Sequence, residues 1–186
     1  MKYNFSKKRN DYMTPPELID NLLKEIGIDK FDLDVCCSQI NIPAFHHCLD
    51  GVKDGLASHW LKLNWMNPPF DVCDKWVKKA VKEQEKGNTT YSLIPVRTET
   101  KFWHDHILFN PNVEIRYLRK GLCFIDPETS KPVQMEVTHK KTGEKRLVDG
   151  VYKNALAIVV FKGHKGATEQ LPLTQYSKAD IFDEYF

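Results

Sequence analysis

Apolar residues recur at helical spacing near the start of the chain. Thr14 is expected to cap a helix there, with Pro15 in the first turn and Glu17 at the capping-box position. The apolar stripe that follows consists of Leu18, Ile19, Leu22, Leu23 and Ile26. Gly27 is expected to end the helix, because glycine readily takes the left-handed conformation found at helix C-termini.

Short apolar runs bounded by polar or turn residues predict strands along the rest of the chain. These strands cover 31–37, 44–49, 61–66, 90–96, 113–118 and 155–161. Amphipathic stretches at 71–87 and 99–109 predict two further helices. Strands that alternate with helices are typical of α/β proteins, so we expect a mainly parallel, twisted sheet flanked by helices.

The alternating pattern breaks over 126–152, which is polar and rich in turn residues. Within this insertion, Thr142-Gly143 predicts the turn of a hairpin. The basic residues that flank the turn are Lys140, Lys141, Lys145 and Arg146. Because a hairpin tip projects from a domain, these charges are candidates for contacting DNA phosphates. No domain boundary is evident, and we expect residues 1–186 to form one domain that carries this insertion.

The composition narrows the class of protein. Of the 186 residues, 27 are basic and 25 acidic, and the resulting net charge of +2 neither requires nor excludes a nucleic-acid partner. The N-terminus does not resemble a signal peptide and no apolar run reaches the length of a membrane span, so a cytoplasmic protein is expected. The five cysteines match no disulfide framework and no standard zinc-ligand spacing, which favours reduced thiols without a metal.

The tetrapeptide Asn67-Pro68-Pro69-Phe70 directly follows a predicted strand, at the end where open α/β sheets bind ligands. The side-chain oxygen of Asn67 and the carbonyl of Pro68 are two acceptors that can hold an exocyclic amino group. Phe70 offers a flat face on which a base can stack, worth about 1–3 kcal/mol. This arrangement suits methylation of the amino group of an extruded base. From the tetrapeptide alone, a rigid turn with a surface aromatic is an equally good interpretation.

Several segments of the chain occur in an order that is typical of one enzyme family. They are DYMTPPELIDNLL (11–23), FDLDVCCSQIN (31–41), DGLASHW (54–60), NWMNPPF (64–70), IPVRTETKFWHDHI (94–107), GLCFIDP (121–127) and ALAIVVF (155–161). In these segments the chain resembles the phage-type DNA N6-adenine methyltransferases, small enzymes that use S-adenosylmethionine and carry a (D/N)PP(Y/F/W) motif. The resemblance implies a Rossmann-like S-adenosylmethionine-dependent methyltransferase fold. It also implies direct transfer of a methyl group to the N6 amino group of adenine in double-stranded DNA after base flipping.

The resemblance also implies roles for individual residues. The catalytic motif falls on Asn67, Pro68, Pro69 and Phe70. The cofactor-binding positions are Tyr12, Thr14, Pro15, Asp34, Cys36, Ser38, Asp54 and Asn67, with Asp34 at the end that binds methionine and Asp54 near the adenine or ribose. Within the motif, the chain has Asn67 in place of Asp, which the amino-methyltransferases tolerate, and Phe70 in place of the commoner Tyr. Glu99 replaces an aspartate, and Cys36-Cys37-Ser38 stands where methyltransferases usually have glycines, a feature that the small phage enzymes share. If the protein is phage-encoded, its location is the host cell cytoplasm.

Other interpretations of the same residues stay open at this point. The (D/N)PP(Y/F) chemistry is shared by enzymes that methylate cytosine N4, RNA adenine or a protein glutamine amide. A nucleic-acid-binding protein with an inactive pocket is a further alternative. Arg97, just past a predicted strand, is a candidate for contacting a phosphate or the flipped nucleotide, and a surface ion pair explains it equally well.

Overall fold

A six-stranded sheet lies at the centre of the computed structural model, which describes residues 11–139 and 142–163. The strands of that part of the chain are β1 (Phe31–Cys37), β2 (Ala44–Leu49), β3 (Leu63–Met66), β4 (Thr89–Pro95), β5 (Val113–Tyr117), β6 (Ile125–Asp126), β7 (Lys131–Pro132), β8 (Gln134–Thr138), β9 (Lys145–Asp149) and β10 (Leu156–Phe161). The strand order in the large sheet is β2-β1-β3-β4-β10-β5.

The sheet is mainly parallel, as the alternation of strands and helices predicts. β1 runs parallel to β2 and β3, and β3 runs parallel to β4. β10 is antiparallel to both of its neighbours, β4 and β5. The insertion of β10 between β4 and β5 is not predicted by the sequence pattern. Its six residues are all buried, because helices or the 122–133 segment cover each face of the sheet around it.

Helix α1 (Pro16–Ile26) covers one face of the sheet, and it differs from the prediction at its start. Its buried stripe, which includes Leu18 and Leu22, packs with Phe31 and Trp65 of the sheet. The N-cap residue is Pro15, and no side chain caps the helix. The expectation that Thr14 caps α1 is therefore wrong.

The end of α1 confirms the prediction made from its sequence. Gly27 has φ 71° and ψ 36°, and its N–H donates to the carbonyls of the last turn. A left-handed residue at this position satisfies carbonyls that the helix itself cannot pair.

The opposite face of the sheet is covered by α2 (Cys73–Glu85) and by α3 (Lys101–Trp103), which continues into a π-helical turn over His104–Leu108. Val77 and Trp103 are fully buried on this side. Both helical predictions are confirmed in kind, but each helix is shorter than its amphipathic stretch.

Predicted strand 61–66 starts later, at Leu63, because Asn64 holds Leu61 in a turn through two hydrogen bonds of 2.8 and 3.0 Å.

The predicted hairpin is present in the insertion. β8 and β9 pair antiparallel from Gln134↔Asp149 to Thr138↔Lys145, and Gly143 in the turn has φ 74°.

Helices within the described residues fall short of the length and apolar character needed to cross a membrane. The cysteines are free, and those same residues contain no group of three or more His, Cys, Asp or Glu arranged around a metal position.

Candidate active site at the carboxyl edge of the sheet

A cavity of about 690 Å³ opens at the carboxyl ends of β1, β2 and β3. Four chain segments form its walls: 11–14, 34–42, 48–55 and 65–69, with Trp76 of α2 at the side. It brings together these predicted site residues: Tyr12, Thr14, Asp34, Cys36, Ser38, Asp54, Asn67 and Pro69. The cavity is not lined by Pro15, Pro68, Phe70 or Arg97, nor by the described hairpin residues.

The parallel register explains why distant parts of the sequence meet at this edge. Asp34 of β1 lies opposite His47 of β2 and Trp65 of β3. Since the three strands run in the same direction, their exits leave the sheet on the same side. The polar residues that follow each strand therefore face a common space.

A glycine keeps the loop after β2 against the end of β1. A Cβ atom on Gly55 would lie 1.9 Å from the carbonyl oxygen of Val35 and 3.0 Å from the ring of Trp76. The loop is fixed further by Trp60, whose Nε1 donates to the Gly55 carbonyl at 2.8 Å. The side chain of neighbouring Asp54 accepts from the N–H of Leu56 at 2.8 Å.

Hydrogen bonds tie the segment before α1 across the cavity. Ser38 Oγ donates to the carbonyl of Asp11 at 3.0 Å, and Asn41 Nδ2 donates to the carbonyl of Thr14 at 3.2 Å. Met13 forms a β-bridge with Ile125. Residues 11–14 are therefore held on both sides, although they belong to no helix and to no extended strand.

Asn67 lies between this segment and the end of β3. Its Nδ2 donates to Thr14 Oγ1 at 3.1 Å and approaches the carbonyl of Tyr12 at 3.5 Å. The hydrogen bonds of the described residues involve neither Asn67 Oδ1 nor the carbonyl of Pro68. Both oxygens are therefore without a hydrogen-bond partner among the described residues, with Asn67 partly exposed at the cavity and Pro68 buried behind it.

Phe70 lies on the other side of the motif, in an aromatic cluster with Phe124 and Tyr152. Its ring centroid is 6.0 Å from that of Phe124 and 5.5 Å from that of Tyr152, both in edge-to-face geometry. Such pairs stabilise an aromatic ring by about 0.5–1.5 kcal/mol beyond the burial of its area. Asn67 and Pro69 of the motif therefore line the cavity, whereas Phe70 belongs to the aromatic cluster.

Asp34 is the buried acid of the cavity wall, with a relative exposure of 1%. Burial raises the pKa of its carboxyl to about 6, against the opposing effects of the Cys36 N–H, which donates to it at 3.3 Å, and of nearby His47. Burial also raises the pKa of the thiol of Cys37, another cavity residue, to about 12. At neutral pH the carboxyl is largely ionised, whereas the thiol is protonated and a poor nucleophile.

The predicted DNA-contacting residues lie away from the cavity. Arg97 is close to Cys73 at the start of α2, where burial raises the pKa of the thiol to about 12 despite the guanidinium. Lys145 Nζ pairs with Glu136 at 2.9 Å on one face of the hairpin. Arg146 is the next residue along β9 and projects from the opposite face. Lys140 and Lys141 lie outside the described residues.

Sequence reasoning missed several residues of this region. Asp50, which directly follows β2, lines the cavity. Asn41 and Trp76 line it as well. Asn41 belongs to the FDLDVCCSQIN segment, so a signal for it was present. Phe124 and Tyr152 had no local signal, because their contact with Phe70 joins residues far apart in the chain.

Comparisons with known proteins identify the family of the chain. A family model described as DNA N-6-adenine-methyltransferase (Dam) matches residues 3–172. A DNA N-6-adenine-methyltransferase of Escherichia phage T1 is 30% identical over 140 residues, which cover 67% of this chain and 58% of that protein. One of Haemophilus phage HP1 is 26% identical over 132 residues, covering 70% of this chain and 75% of that protein. No solved structure matches. The chain belongs to the DNA N-6-adenine-methyltransferase (Dam) family.

Proposed function

We propose that the chain is an S-adenosylmethionine-dependent methyltransferase that methylates the N6 amino group of adenine in DNA, on a Rossmann-like methyltransferase sheet. The observation that carries this proposal is the position of Asn67-Pro68-Pro69-Phe70 between a cavity and an aromatic cluster. One side of the motif can receive a methyl donor while the other receives a base. Family membership supports DNA adenine over cytosine, RNA or protein amide as the substrate. A phage enzyme of this kind would act in the host cell cytoplasm.

The cavity fits S-adenosylmethionine in size and in chemistry. Its volume of about 690 Å³ is within the range of small-molecule cofactor sites. Asp34 offers a carboxylate to the cationic methionine end. Asp50 lies at the carboxyl end of β2, where acidic residues of other doubly wound sheets accept hydrogen bonds from ribose hydroxyls. Asp54 is a second candidate for the nucleoside end, and Val35 and Trp76 supply apolar walls. The cofactor supplies an electrophilic methyl group when it is bound.

The motif residues hold the adenine. Asn67 Oδ1 and the Pro68 carbonyl accept hydrogen bonds from the N6 amino group, which draws its hydrogens away from the ring and favours the developing positive charge on nitrogen. Phe70 gives the extruded base a surface on which to stack. Because both acceptors are set before the substrate arrives, they act by positioning and by preorganised electrostatics. No covalent enzyme intermediate is required, which agrees with the protonated state of the Cys37 thiol beside the cavity.

DNA contacts are proposed at two surfaces. The first is the one predicted from the sequence, namely Arg97 and the hairpin charges. The second consists of Lys120 and Lys153, both exposed, and we call this pair the basic rim. Residues 121–123 pair with 151–152 through a Cys123↔Val151 bridge and a 2.8 Å hydrogen bond from the Tyr152 N–H to the Leu122 carbonyl. This pairing supports a position of the rim beside the aromatic cluster that contains Phe70.

The test is a product analysis with a variant of the motif. The chain is incubated with labelled S-adenosylmethionine and plasmid DNA, and the DNA is then digested to nucleosides. Labelled N6-methyladenine is the expected product, and N4-methylcytosine or label in protein would overturn the assignment. Asn67→Ala should lower kcat by about 10²–10³, the typical effect of removing one preorganised hydrogen-bonding group. A variant that folds and methylates at nearly the normal rate would contradict the assigned role of Asn67. Calorimetry with the unaltered chain separates an enzyme from an inactive DNA-binding protein, which would not bind the cofactor.

A further inference from the structure

We propose that Thr14 is a positioning residue, which orients the side-chain amide of Asn67 so that its oxygen faces the substrate amine. The proposal rests on the proposed function and adds a role to Thr14 that differs from cofactor binding. It starts from the contact between Thr14 Oγ1 and Asn67 Nδ2 at 3.1 Å.

The surroundings of Asn67 decide which way its amide points. The carbonyl of Tyr12 is only an acceptor, and it lies 3.5 Å from Asn67 Nδ2. The Thr14 hydroxyl accepts a second hydrogen from the same NH₂ group. Because a hydroxyl can also donate, the Tyr12 carbonyl is the partner that disfavours the flipped amide, and the Thr14 hydroxyl holds the NH₂ group beside that carbonyl. With the NH₂ group on the side of residues 11–14, the oxygen of the amide points away from them.

Thr14 is itself well fixed. It is 2% exposed, and its carbonyl accepts from Asn41 Nδ2 at 3.2 Å. Its hydroxyl is not used to cap α1, whose N-cap is Pro15 without a side-chain hydrogen bond. A buried group whose own position is set by neighbours can hold a reactive side chain within the narrow tolerance that catalysis needs.

An asparagine needs such a partner more than an aspartate does. Turning a carboxylate by 180° exchanges one oxygen for the other, and the substrate still meets an acceptor. Turning the amide of Asn67 by 180° replaces the oxygen with an NH₂ donor, which would face the donor hydrogens of the adenine amine. Selection of one amide orientation is therefore part of the catalytic competence of a chain with Asn at this position.

The test is a double-mutant cycle between Thr14→Val and Asn67→Asp, read as kcat and KM for DNA methylation. In the Asn67 background, Thr14→Val should lower kcat about 10- to 100-fold with a change in the cofactor KM of less than about 3-fold, as expected when a properly paired buried group is lost. In the Asn67→Asp background, the same substitution should cost less than about 3-fold, because either carboxylate oxygen serves as an acceptor. Thr14→Ser, which keeps the hydroxyl, should restore most of the lost kcat.

A matched control is available on β4. The buried Thr90 Oγ1 has no hydrogen-bond partner within the described part of the chain, so Thr90→Val removes a similar hydroxyl without removing a hydrogen bond. Thermal unfolding of each variant shows whether it is folded, and Thr14→Ala replaces Thr14→Val if the latter does not fold.

Two outcomes would overturn the proposal. Equal losses of kcat in the Asn67 background and in the Asn67→Asp background would mean that Thr14 does not act through the amide. A rise in the cofactor KM at unchanged kcat would make Thr14 a cofactor-binding residue instead. Absence of methylation by the unaltered chain would overturn the proposed function, and the proposal for Thr14 with it. Failure of the Thr14 proposal alone would leave the unaltered chain active.

Discussion

The carboxyl edge of the sheet and the β8–β9 hairpin are built in opposite ways. The edge joins 11–14, 34–42, 48–55 and 65–69, which meet only because three parallel strands end together. The hairpin joins residues that are neighbours in sequence, and most of its side chains are exposed. The edge therefore depends on the whole sheet, whereas the hairpin depends mainly on its own ladder.

This difference separates two kinds of substitution. At the edge, a small change in shape or charge should alter folding or cofactor binding, because the side chains are buried and share partners. On the hairpin, changes of similar size should affect neither folding nor cofactor binding, and should act only on DNA affinity. Substitutions in the two regions test that contrast.

Substitution of two glycines gives the largest contrast. Gly55→Ala should destabilise the fold by about 1–3 kcal/mol and abolish cofactor binding, because the added Cβ would overlap the Val35 carbonyl and force the loop away from β1. Gly143→Asn in the hairpin turn should change neither property, since nothing lies within 4 Å of its Cβ position and asparagine tolerates the left-handed conformation.

Chemical denaturation and calorimetry with S-adenosylmethionine measure both glycine variants. Equal effects of the two substitutions would remove the contrast between the regions. Normal cofactor affinity in Gly55→Ala would show that the approach of the loop to β1 is unimportant for the cavity.

Asp34→Asn should have effects of opposite sign on stability and on binding. Because the folded-state pKa of Asp34 is about 6 and lies above the ordinary value of 3.8, the folded chain holds this proton more tightly than the unfolded chain does. The free energy of unfolding should therefore fall as the pH rises from about 4 to about 6, by about 2–3 kcal/mol, and then remain low. Asp34→Asn keeps the acceptor for the Cys36 N–H, removes this pH dependence and should raise the melting temperature at pH 7.

The same variant should bind the cofactor at least 10-fold more weakly, since it lacks the carboxylate that we propose for binding the cationic methionine end. Thermal melts between pH 4.5 and pH 7.5, followed by calorimetry at pH 7, measure the two effects. Unchanged affinity together with higher stability would mean that Asp34 is not a cofactor-binding residue.

Phe70→Ala should weaken the use of DNA without affecting the cofactor. Loss of a stacking partner for the base costs about 1–3 kcal/mol, which corresponds to roughly 5- to 150-fold in kcat/KM for DNA. Phe70→Tyr keeps the ring and serves as the control. Steady-state kinetics with varied DNA measure the effect, and an Ala variant as active as the Tyr variant would exclude stacking on Phe70.

The parts of the molecule that the sequence predicts are those with a local cause. The apolar stripe and Gly27 define α1, and apolar runs define the strands of the large sheet. The motif at 67–70 also lies where the strand pattern predicts it, directly after β3. In each case, residues within a few positions of one another determine the local conformation.

The parts that the sequence does not predict depend on which distant segments meet. The capping interpretation of Thr14 is wrong because α1 begins one residue later, with Pro15 as its N-cap. The Thr14 hydroxyl instead accepts from Asn67, which is 53 residues away. The antiparallel position of β10 and the contact of Tyr152 with Phe70 likewise follow from tertiary pairing. Neither spacing nor propensity within a short window contains that information.

The smallest expected effects come from two matched pairs of surface charges. Lys120→Gln with Lys153→Gln removes the basic rim, and Lys145→Gln with Arg146→Gln removes the described hairpin charges. The rim pair should lower DNA affinity more, because it flanks the aromatic cluster. Lys145 projects from the hairpin face opposite to that of Arg146, so both cannot lie against one DNA backbone.

Binding measured over a range of salt concentrations distinguishes the two surfaces. Removal of one cation that binds a phosphate should reduce the slope of log K against log salt by about 0.9, so the rim pair should flatten the slope by up to about 1.8 and the hairpin pair by no more than half of that. Both pairs remove the same net charge, so a general electrostatic effect would change the two slopes equally. A larger change for the hairpin pair would move the DNA surface to the insertion, and unchanged slopes for both would leave Arg97 as the remaining proposed contact among the described residues.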